Sequence, residues 1–223
     1  MIELIKTRGI KHTSLKLTDM KNIIFVGLLA FIAVTSFTAC DDDPIVSPDV
    51  VELTAEEEAG LLLMREEEKL ARDVYLYLFD EYGNDIFKNI SNAEQTHMDK
   101  VLDVLNQYGF EDNASTERGV FNNPDLQALY DALIIQGDIS LVDALTVGAT
   151  IEDVDIYDLD RLSLETTNAD ILEIYEALNC GSRNHMRGFI KNLDNNSASY
   201  APQFISQADF DAIIASENEH CGQ

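Results

Sequence analysis

The sequence contains few basic residues. Of its 223 residues, 15 are Lys or Arg and 41 are Asp or Glu, which gives a formal net charge of −26 at pH 7 and an isoelectric point near 4.2. A surface of this charge repels phosphate backbones and anionic lipid headgroups. The composition therefore argues against nucleic acid or an anionic membrane surface as a direct partner of the folded region, whereas metal cations are attracted to it.

Long apolar runs are rare too, and the clearest one lies near the N-terminus. Lys21 and Asn22 are followed by IIFVGLLAFIAVTSFTA and then by Cys40. This order of charged, apolar and small residues is typical of a secretory signal, so we predict that residues 1–39 are a signal peptide, with Met20 as an alternative start. The apolar run, about 17 residues long, is at the short end for a membrane span. An uncleaved transmembrane anchor is therefore the weaker alternative.

Residues 37–40, Phe-Thr-Ala-Cys, resemble a bacterial lipobox. In that motif the cysteine is lipidated and becomes the first residue of the mature protein. We therefore predict an exported lipoprotein that is anchored through Cys40 in a membrane, at the outer membrane or the cell surface. Residues 40–53 then form an acidic tether, because their aspartates and their Pro- and Ser-containing stretch show no helical periodicity. The aspartates resemble export signals of surface lipoproteins, and a simple spacer explains them equally well.

Cysteine is scarce as well, with three residues in the whole chain. No two of them are spaced as CxxC, which argues against a rubredoxin-type electron-transfer module within the sequence. Cys180 and Cys221 belong to the part predicted to be exported, where a disulfide is permitted but not required. Their pairing is left open.

From residue 54 to residue 216, apolar residues recur at spacings of 3 and 4, which is typical of amphipathic helices. The caps and stripes predict long helices from Thr54 to Gly83, from Asn89 to Tyr108 with a stripe that extends upstream to Phe87, from Ser140 to Leu162 and from Asn168 to Leu193. A shorter helix is predicted after Pro124, within the long connection 109–137, and another at 206–216. We predict an all-α domain over residues 54–216: an antiparallel four-helix bundle with a crossover connection and a short C-terminal helix.

Each long helix carries ionisable residues on the face that should be apolar. These residues are Glu68 in the first helix, Glu94 and His97 in the second, Glu152 and Asp155 in the third, and His185 in the fourth. A buried carboxylate costs several kcal/mol unless it is paired. Two imidazoles cannot neutralise four carboxylates, whereas two divalent cations can. We therefore predict that these residues bind two divalent metal ions, for which Fe, Mn and Zn all suit O and N ligands.

Other readings of single residues remain open. Ser91 and Glu94 also match a capping box for a helix that starts late. Asp155 is spaced either to bind metal or to orient His185. Glu66 and Glu67 lie off the apolar stripe, so we predict that they belong to the solvated surface.

Four segments carry a resemblance to a known family: MREEEKLARDVY, NISNAEQTHM, GATIEDVDIYDL and CGSRNHMRGF. They resemble the signature of the bacterial and archaeal domain family DUF2202, within the ferritin-like superfamily, and the resemblance covers roughly residues 52–214. In the first helix, Glu68 followed by Ala71, Arg72 and Tyr75 is also similar to rubrerythrin-type proteins.

The resemblance implies a four-helix bundle around a dinuclear metal centre that usually holds iron. By motif position, Glu68 matches the first-helix carboxylate, Glu94 and His97 the second-helix pair, Glu152 a bridging carboxylate and His185 the fourth-helix imidazole. One position departs from the pattern, because Ser182 stands where a typical di-iron bundle has a second Glu-x-x-His glutamate. Asp155 is the candidate replacement.

Two classes of function follow from these residues. The first is redox chemistry with dioxygen or peroxide, as in a ferroxidase-like or peroxidase-like di-iron oxidoreductase. The second is a non-enzymatic surface lipoprotein that binds metal for structural or scavenging purposes. For both classes of function, the expected partners are metal ions and the membrane that holds the lipid anchor. Whether the protein forms a homodimer is left open.

Overall fold

The computed structural model describes residues 52–221. Within this range the chain forms six α helices and no strand, which confirms the all-α prediction: α1 Ala55–Tyr82, α2 Asp85–Gln107, α3 Pro124–Gly137, α4 Leu141–Ser163, α5 Ala169–Asn195 and α6 Gln207–Ala215. The predicted signal peptide, the lipidated Cys40 and most of the acidic tether lie outside the described residues. None of the helices within residues 52–221 combines the length and the apolar character that a membrane span requires.

The start of α1 follows from a capping box. The Thr54 side chain accepts a hydrogen bond from the Glu57 N–H, and the Glu57 carboxylate accepts one from the Thr54 N–H. The helix ends where Gly83 adopts a left-handed conformation with φ of 62°, which glycine tolerates without strain. Asn84 then caps α2 directly. Glu94 therefore lies well inside α2, and its capping-box alternative is wrong.

The remaining helices start at the predicted caps. Asn123 precedes Pro124 at the beginning of α3, Ser140 caps α4, Asn168 caps α5 and Ser206 caps α6. Each of these side chains accepts a backbone N–H of the first turn, which satisfies donors that a helix leaves unpaired.

Two apolar clusters fill the interior, and each contains residues from α1, α2, α4 and α5. The Phe189 cluster includes Val74, Phe87, Leu145 and Phe189. The Leu105 cluster includes Leu61, Leu105, Leu159 and Leu178. Along α1 and α5 the chain passes from the Leu105 cluster to the Phe189 cluster, and along α2 and α4 it passes in the opposite direction. The two helices of each sequential pair therefore run in opposite directions.

The linker 108–123 and α3 cover a further face of α1. The Lys69 ammonium is fully buried and donates to Asp73 Oδ2 at 2.6 Å and to the carbonyl oxygens of Glu117 and Val120 at 2.9 and 3.1 Å. These bonds fix the linker against the helix.

This packing overturns one sequence prediction. Glu66 and Glu67, expected at the solvated surface, are only 3% and 8% exposed. Glu66 Oε1 accepts hydrogen bonds from the backbone N–H groups of Asn122 and Asn123 at 2.9 and 3.4 Å. The prediction was wrong because it gave α1 one buried stripe, whereas the linker covers a second face.

The C-terminal segment is tied to α5. Cys180 and Cys221 form a disulfide, which settles the pairing that the sequence left open. Arg183 and Arg187 both donate to the carboxylate of Glu219, at 2.6 Å in the shortest bond of each. The segment after α6 thus lies along the part of α5 that contains His185.

Candidate metal centre

A layer of ionisable side chains separates the two apolar clusters. It contains Glu68 from α1, Glu94 and His97 from α2, Glu152 from α4 and His185 from α5. All three carboxylates are at most 1% exposed, and His97 is 8% exposed. The layer exists because each helix places its polar residues between an apolar turn of one cluster and an apolar turn of the other.

The first group of donor atoms joins α1 and α2. His97 Nδ1 lies 3.1 Å from Glu68 Oε2 and 2.8 Å from Glu94 Oε2. One donor atom from each of these three residues lies within 4.8 Å of the others, which is close enough for a single metal ion.

The second group joins α2, α4 and α5. His185 Nδ1 lies 2.9 Å from Glu94 Oε1 and 3.5 Å from Glu152 Oε2. Glu94 therefore belongs to both groups and directs one oxygen towards each histidine. Glu94 is thus the carboxylate common to both groups, and the bridging position that family resemblance gives to Glu152 stays a prediction.

Glu152 has a different environment. The Tyr75 hydroxyl donates to Glu152 Oε1 at 2.5 Å, and both side chains are fully buried. The Tyr75 ring packs against Phe189 with a centroid distance of 5.3 Å. This leaves Glu152 Oε2, the atom nearest His185, as the free donor.

Several buried donor atoms of the layer lack hydrogen-bond partners, and their positions indicate whether these residues are suited to bind metal. Glu68 Oε1, Glu94 Oε1, Glu152 Oε2 and His185 Nδ1 are buried and have no hydrogen-bond partner within residues 52–221. Glu94 Oε1 and His185 Nδ1 are 2.9 Å apart but not aligned for a hydrogen bond. Two ligands about 2.1 Å from one ion and at about 90° to each other lie about 3.0 Å apart, so this separation fits a shared ion.

The pKa values show how the layer balances charge without metal. Burial raises the pKa of Glu68 to about 7, against the opposing effect of His97. Burial also disfavours the charge on Glu94, but His185 and His97 outweigh it and hold the pKa of Glu94 well below its usual range. Burial opposes the charge on His97 as well, yet Glu68 and Glu94 raise its pKa to about 10. A metal ion must therefore displace protons from the layer.

Asp155 and Ser182 lie beside the layer but in neither donor group. Burial raises the pKa of Asp155 well above its usual range, and the nearby Glu68 and Glu152 charges raise it further. Its carboxyl lines a small apolar cavity of about 20 Å³ together with Glu67. The Ser182 hydroxyl donates to the Leu178 carbonyl oxygen of its own helix. Whether Asp155 binds metal stays a prediction.

Sequence reasoning missed Gly181. A Cβ atom at this position would lie 2.4 Å from His97 Cε1 and 2.7 Å from His97 Nε2, so only glycine leaves room for the ring. A glycine inside a helix costs up to about 1 kcal/mol relative to alanine. A glycine inside a predicted helix, one turn before His185, was therefore the available signal that another group approaches the helix backbone closely.

Comparisons with known proteins identify a family and a relative of this chain. A family model described as "Uncharacterized protein domain (DUF2202)" matches residues 57–217. The chain is 51% identical over 168 residues to "Uncharacterized protein MJ0754" of Methanocaldococcus jannaschii, over 75% of this chain and 91% of the relative. It is also similar to the crystal structure of hypothetical protein MJ0754 from Methanococcus jannaschii DSM 2661, with a TM-score of 0.74, 50% identity and coverage of 75% of this chain and 96% of that one.

Proposed function

The chain belongs to the DUF2202 family, and from this premise we propose that it is a ferritin-like protein whose buried polar layer binds two divalent metal ions. The observation that carries the proposal is the sharing of Glu94 between two donor groups that each include a histidine. One carboxylate with an oxygen directed to each side is suited to hold two ions close together.

The helix directions support a ferritin-like four-helix bundle. α1 packs on α2 and α4 packs on α5, while α2 contacts α5 and α1 contacts α4. α2 and α4 cross the two apolar clusters in the same direction, so the chain must return along the bundle between them. The linker 108–123 and α3 make this crossover, because α3 contacts both α1 and α4.

The donor set favours particular metals. The layer offers carboxylate oxygens and imidazole nitrogens, and its cysteine-free composition excludes a thiolate site there. Such O and N ligands suit Fe, Mn or Zn, and iron is our first choice among them. Glu68, Glu94 and His97 would hold one ion, and Glu94, Glu152 and His185 the other. Asp155 is an additional candidate ligand.

We propose redox chemistry with dioxygen or peroxide as the activity. Iron held by Glu68, Glu94, His97, Glu152 and His185 would supply the electrons for such a reaction. The chain's own residues prepare the site: the Tyr75 hydroxyl fixes Glu152 Oε1, and the apolar clusters on both sides exclude bulk water.

The second candidate is a non-enzymatic lipoprotein that binds metal for structural or scavenging purposes, favoured by the acidic composition. In both cases, lipidation at Cys40 and a membrane location are part of the proposal, and a homodimer is compatible with it.

Metal stoichiometry tests the binding proposal. The purified full chain, reconstituted with Fe(II) without oxygen, should contain two ions per chain by elemental analysis. Glu94→Ala should lose both, because it belongs to both groups, whereas Glu152→Ala should retain one. Glu81→Ala, which removes an exposed charge of the same helix as Glu68, is the matched control. If Glu94→Ala and Glu81→Ala lost equal numbers of metal ions, the proposed metal centre would be contradicted.

Oxidant consumption separates the two functions. The Fe(II)-loaded chain should consume dioxygen or hydrogen peroxide faster than an equal concentration of free Fe(II). A loaded chain that retains two ions and reacts no faster supports the non-enzymatic function instead.

A further inference from the structure

The disulfide between Cys180 and Cys221 lies beside the polar layer. Cys180 is buried in α5 and directly precedes Gly181. The Gly181 backbone lies against the His97 ring, since a Cβ atom on this residue would be 2.4 Å from His97 Cε1. The His97 ring in turn stacks on His185, with a centroid distance of 5.6 Å. One peptide unit and one packing contact therefore connect Cys180 to a histidine of the candidate metal centre.

The C-terminal segment keeps its position through hydrogen bonds that do not involve the sulfurs. Arg183 donates to both carboxylate oxygens of Glu219, and Arg187 donates to one of them at 2.6 Å. The Asn184 side-chain amide donates to the Glu219 carbonyl oxygen at 3.1 Å, and the Glu219 N–H donates back to Asn184 Oδ1 at 2.9 Å. Because Glu219 is two residues before Cys221, these bonds hold Cys221 next to α5. The disulfide can therefore open without releasing the segment.

One end of the disulfide is accessible to a thiol reagent. Cys180 is 6% exposed, whereas Cys221 is half-buried. The Asn184 amide also donates to Cys221 Sγ at 3.1 Å. A hydrogen-bond donor stabilises a thiolate, which is the form of cysteine that forms and exchanges disulfides. The surroundings of Cys221 are thus suited to both oxidation states of the pair.

We propose that Cys180 and Cys221 are a redox-active dithiol pair that supplies electrons to the metal centre, an inference that rests on the proposed redox function. In each turnover the two thiols lose two protons and two electrons, and the sulfur–sulfur bond forms. The electrons pass through iron held by the layer to hydrogen peroxide. The peroxide takes up two protons, its oxygen–oxygen bond breaks and two waters leave. An external thiol reductant then restores both thiols by disulfide exchange.

Equilibration of the metal-free full chain with glutathione tests the pair itself. Structural disulfides of exported proteins resist reduction by glutathione. The pair should instead be reduced in at least about half of the chains by excess reduced glutathione. The chain should stay folded by circular dichroism, because the bonds of Glu219 remain. Peptide mass spectrometry after alkylation counts the thiols of Cys180 and Cys221. Reduction confined to unfolded chains would mark a purely structural bond and overturn the proposal.

Oxidation by peroxide tests the transfer of electrons through the centre. The reduced chain, loaded with Fe(II) without oxygen, receives two equivalents of hydrogen peroxide, one for the iron and one for the thiols. The Cys180–Cys221 disulfide should form at least about tenfold faster than in the reduced metal-free chain. Glu94→Ala with the same total iron controls for unbound iron and should be as slow as the metal-free chain.

Two further variants test the thiols. Cys221→Ser should retain two ions per chain but lose thiol-driven peroxide turnover by at least about tenfold. Ser216→Ala removes the hydrogen bond that Arg187 donates to Ser216 Oγ in the same segment, and it should keep turnover within about twofold.

Equal rates of disulfide formation with and without two bound ions would overturn this inference and leave the metal centre standing. A chain that binds no iron would overturn both.

Discussion

At the scale of single residues, the position of Glu94 determines how the layer compensates buried charge and where it can hold cations. Its two oxygens lie 2.8 and 2.9 Å from the Nδ1 atoms of two histidines on different helices. Without metal, the imidazoles compensate its charge, and this explains why a carboxylate can be 1% exposed and still hold its pKa well below the usual range. The same oxygens are placed to hold two cations when protons leave the histidines.

Gly181→Ala tests the space around His97. The new Cβ would lie 2.4 Å from His97 Cε1, so the ring must leave the position in which its Nδ1 lies 3.1 Å from Glu68 Oε2. We expect one metal ion per chain instead of two, although alanine favours the helix by up to about 1 kcal/mol. Gly188→Ala on the same helix is the control, because its Cβ would meet only the flexible end of Ile86 at 3.1 Å. Elemental analysis measures the metal content of both variants, and two ions per chain in Gly181→Ala would contradict the expectation.

Tyr75→Phe tests the hydrogen bond to Glu152. Its loss leaves a buried carboxylate oxygen without its donor, which should lower the free energy of unfolding by about 1.5–3 kcal/mol. Tyr175→Phe removes a hydroxyl that forms no hydrogen bond within residues 52–221, from a tyrosine whose ring is also buried, and should cost less than about 1 kcal/mol. Urea unfolding of the metal-free proteins gives both values. Equal costs would show that the Tyr75 bond contributes nothing specific.

At the scale of elements, the buried Lys69–Asp73 pair holds the linker to α1. Both side chains are 0% exposed, and Gly119 N–H also donates to Asp73 at 2.9 Å. Lys69→Met leaves Asp73 with Arg72 as its remaining cation and frees the Glu117 and Val120 carbonyl oxygens. We expect a loss of about 3 kcal/mol of stability. Lys88→Met, at an exposed site of α2, should change stability by less than about 0.5 kcal/mol. Denaturant unfolding measures the difference in stability between the two variants, provided that the dependence of the unfolding free energy on denaturant concentration is unchanged. Similar unfolding midpoints for the two variants would contradict the prediction.

The helices could be predicted from the sequence because their signals are local. Thr54, Asn123 and Ser140 each combine a capping side chain with a following apolar stripe, and the structure starts helices at all three. The ionisable residues on the stripes were recognisable for the same reason. Periodicity alone assigns a residue to one face of its own helix.

What depends on neighbouring elements could not be predicted. The burial of Glu66 follows from the linker, whose path has no periodic signal, and Glu67 lies among residues of α3 and α4. Which donor atoms meet in one group depends on how α2 packs against α1, α4 and α5, and the periodicity of a single helix does not give this. The pairing of Cys180 with Cys221 required both the end of α5 and the course of the C-terminal segment.

At the scale of the whole molecule, the polar layer couples metal binding, protons and stability. The folded protein raises the pKa of Glu68 from 4.5 to about 7 and that of His97 from 6.5 to about 10. Both groups therefore bind more protons in the folded state than in the unfolded chain between these limits. By linkage, the stability of the metal-free protein falls as pH rises from about 4.5 to about 10.

Thermal unfolding at pH 6.0 and 8.5 checks this sign. The melting temperature of the metal-free chain should be lower at pH 8.5, since the protonated His97 and Glu68 favour folding below their folded-state pKa values. Mn(II) should raise the melting temperature more at pH 8.5 than at pH 6.0, because ligands must lose protons to bind it. At a hundredfold excess over its dissociation constant the metal adds roughly 3 kcal/mol. A metal-free chain that is more stable at pH 8.5 would contradict the assignment of protons to this layer.

The disulfide between Cys180 and Cys221 has a consequence for a chain that is cut. It closes a loop of 41 residues in which the second half of α5, the connection to α6 and α6 itself lie between the joined sulfurs. Residues 194–197, at the end of α5 and directly after it, are exposed and accessible to a protease. A single cut there produces two polypeptides that remain one molecule, because the sulfur–sulfur bond still joins them. The nicked protein should migrate as an intact chain on a non-reducing gel and separate into two bands only after a thiol is added.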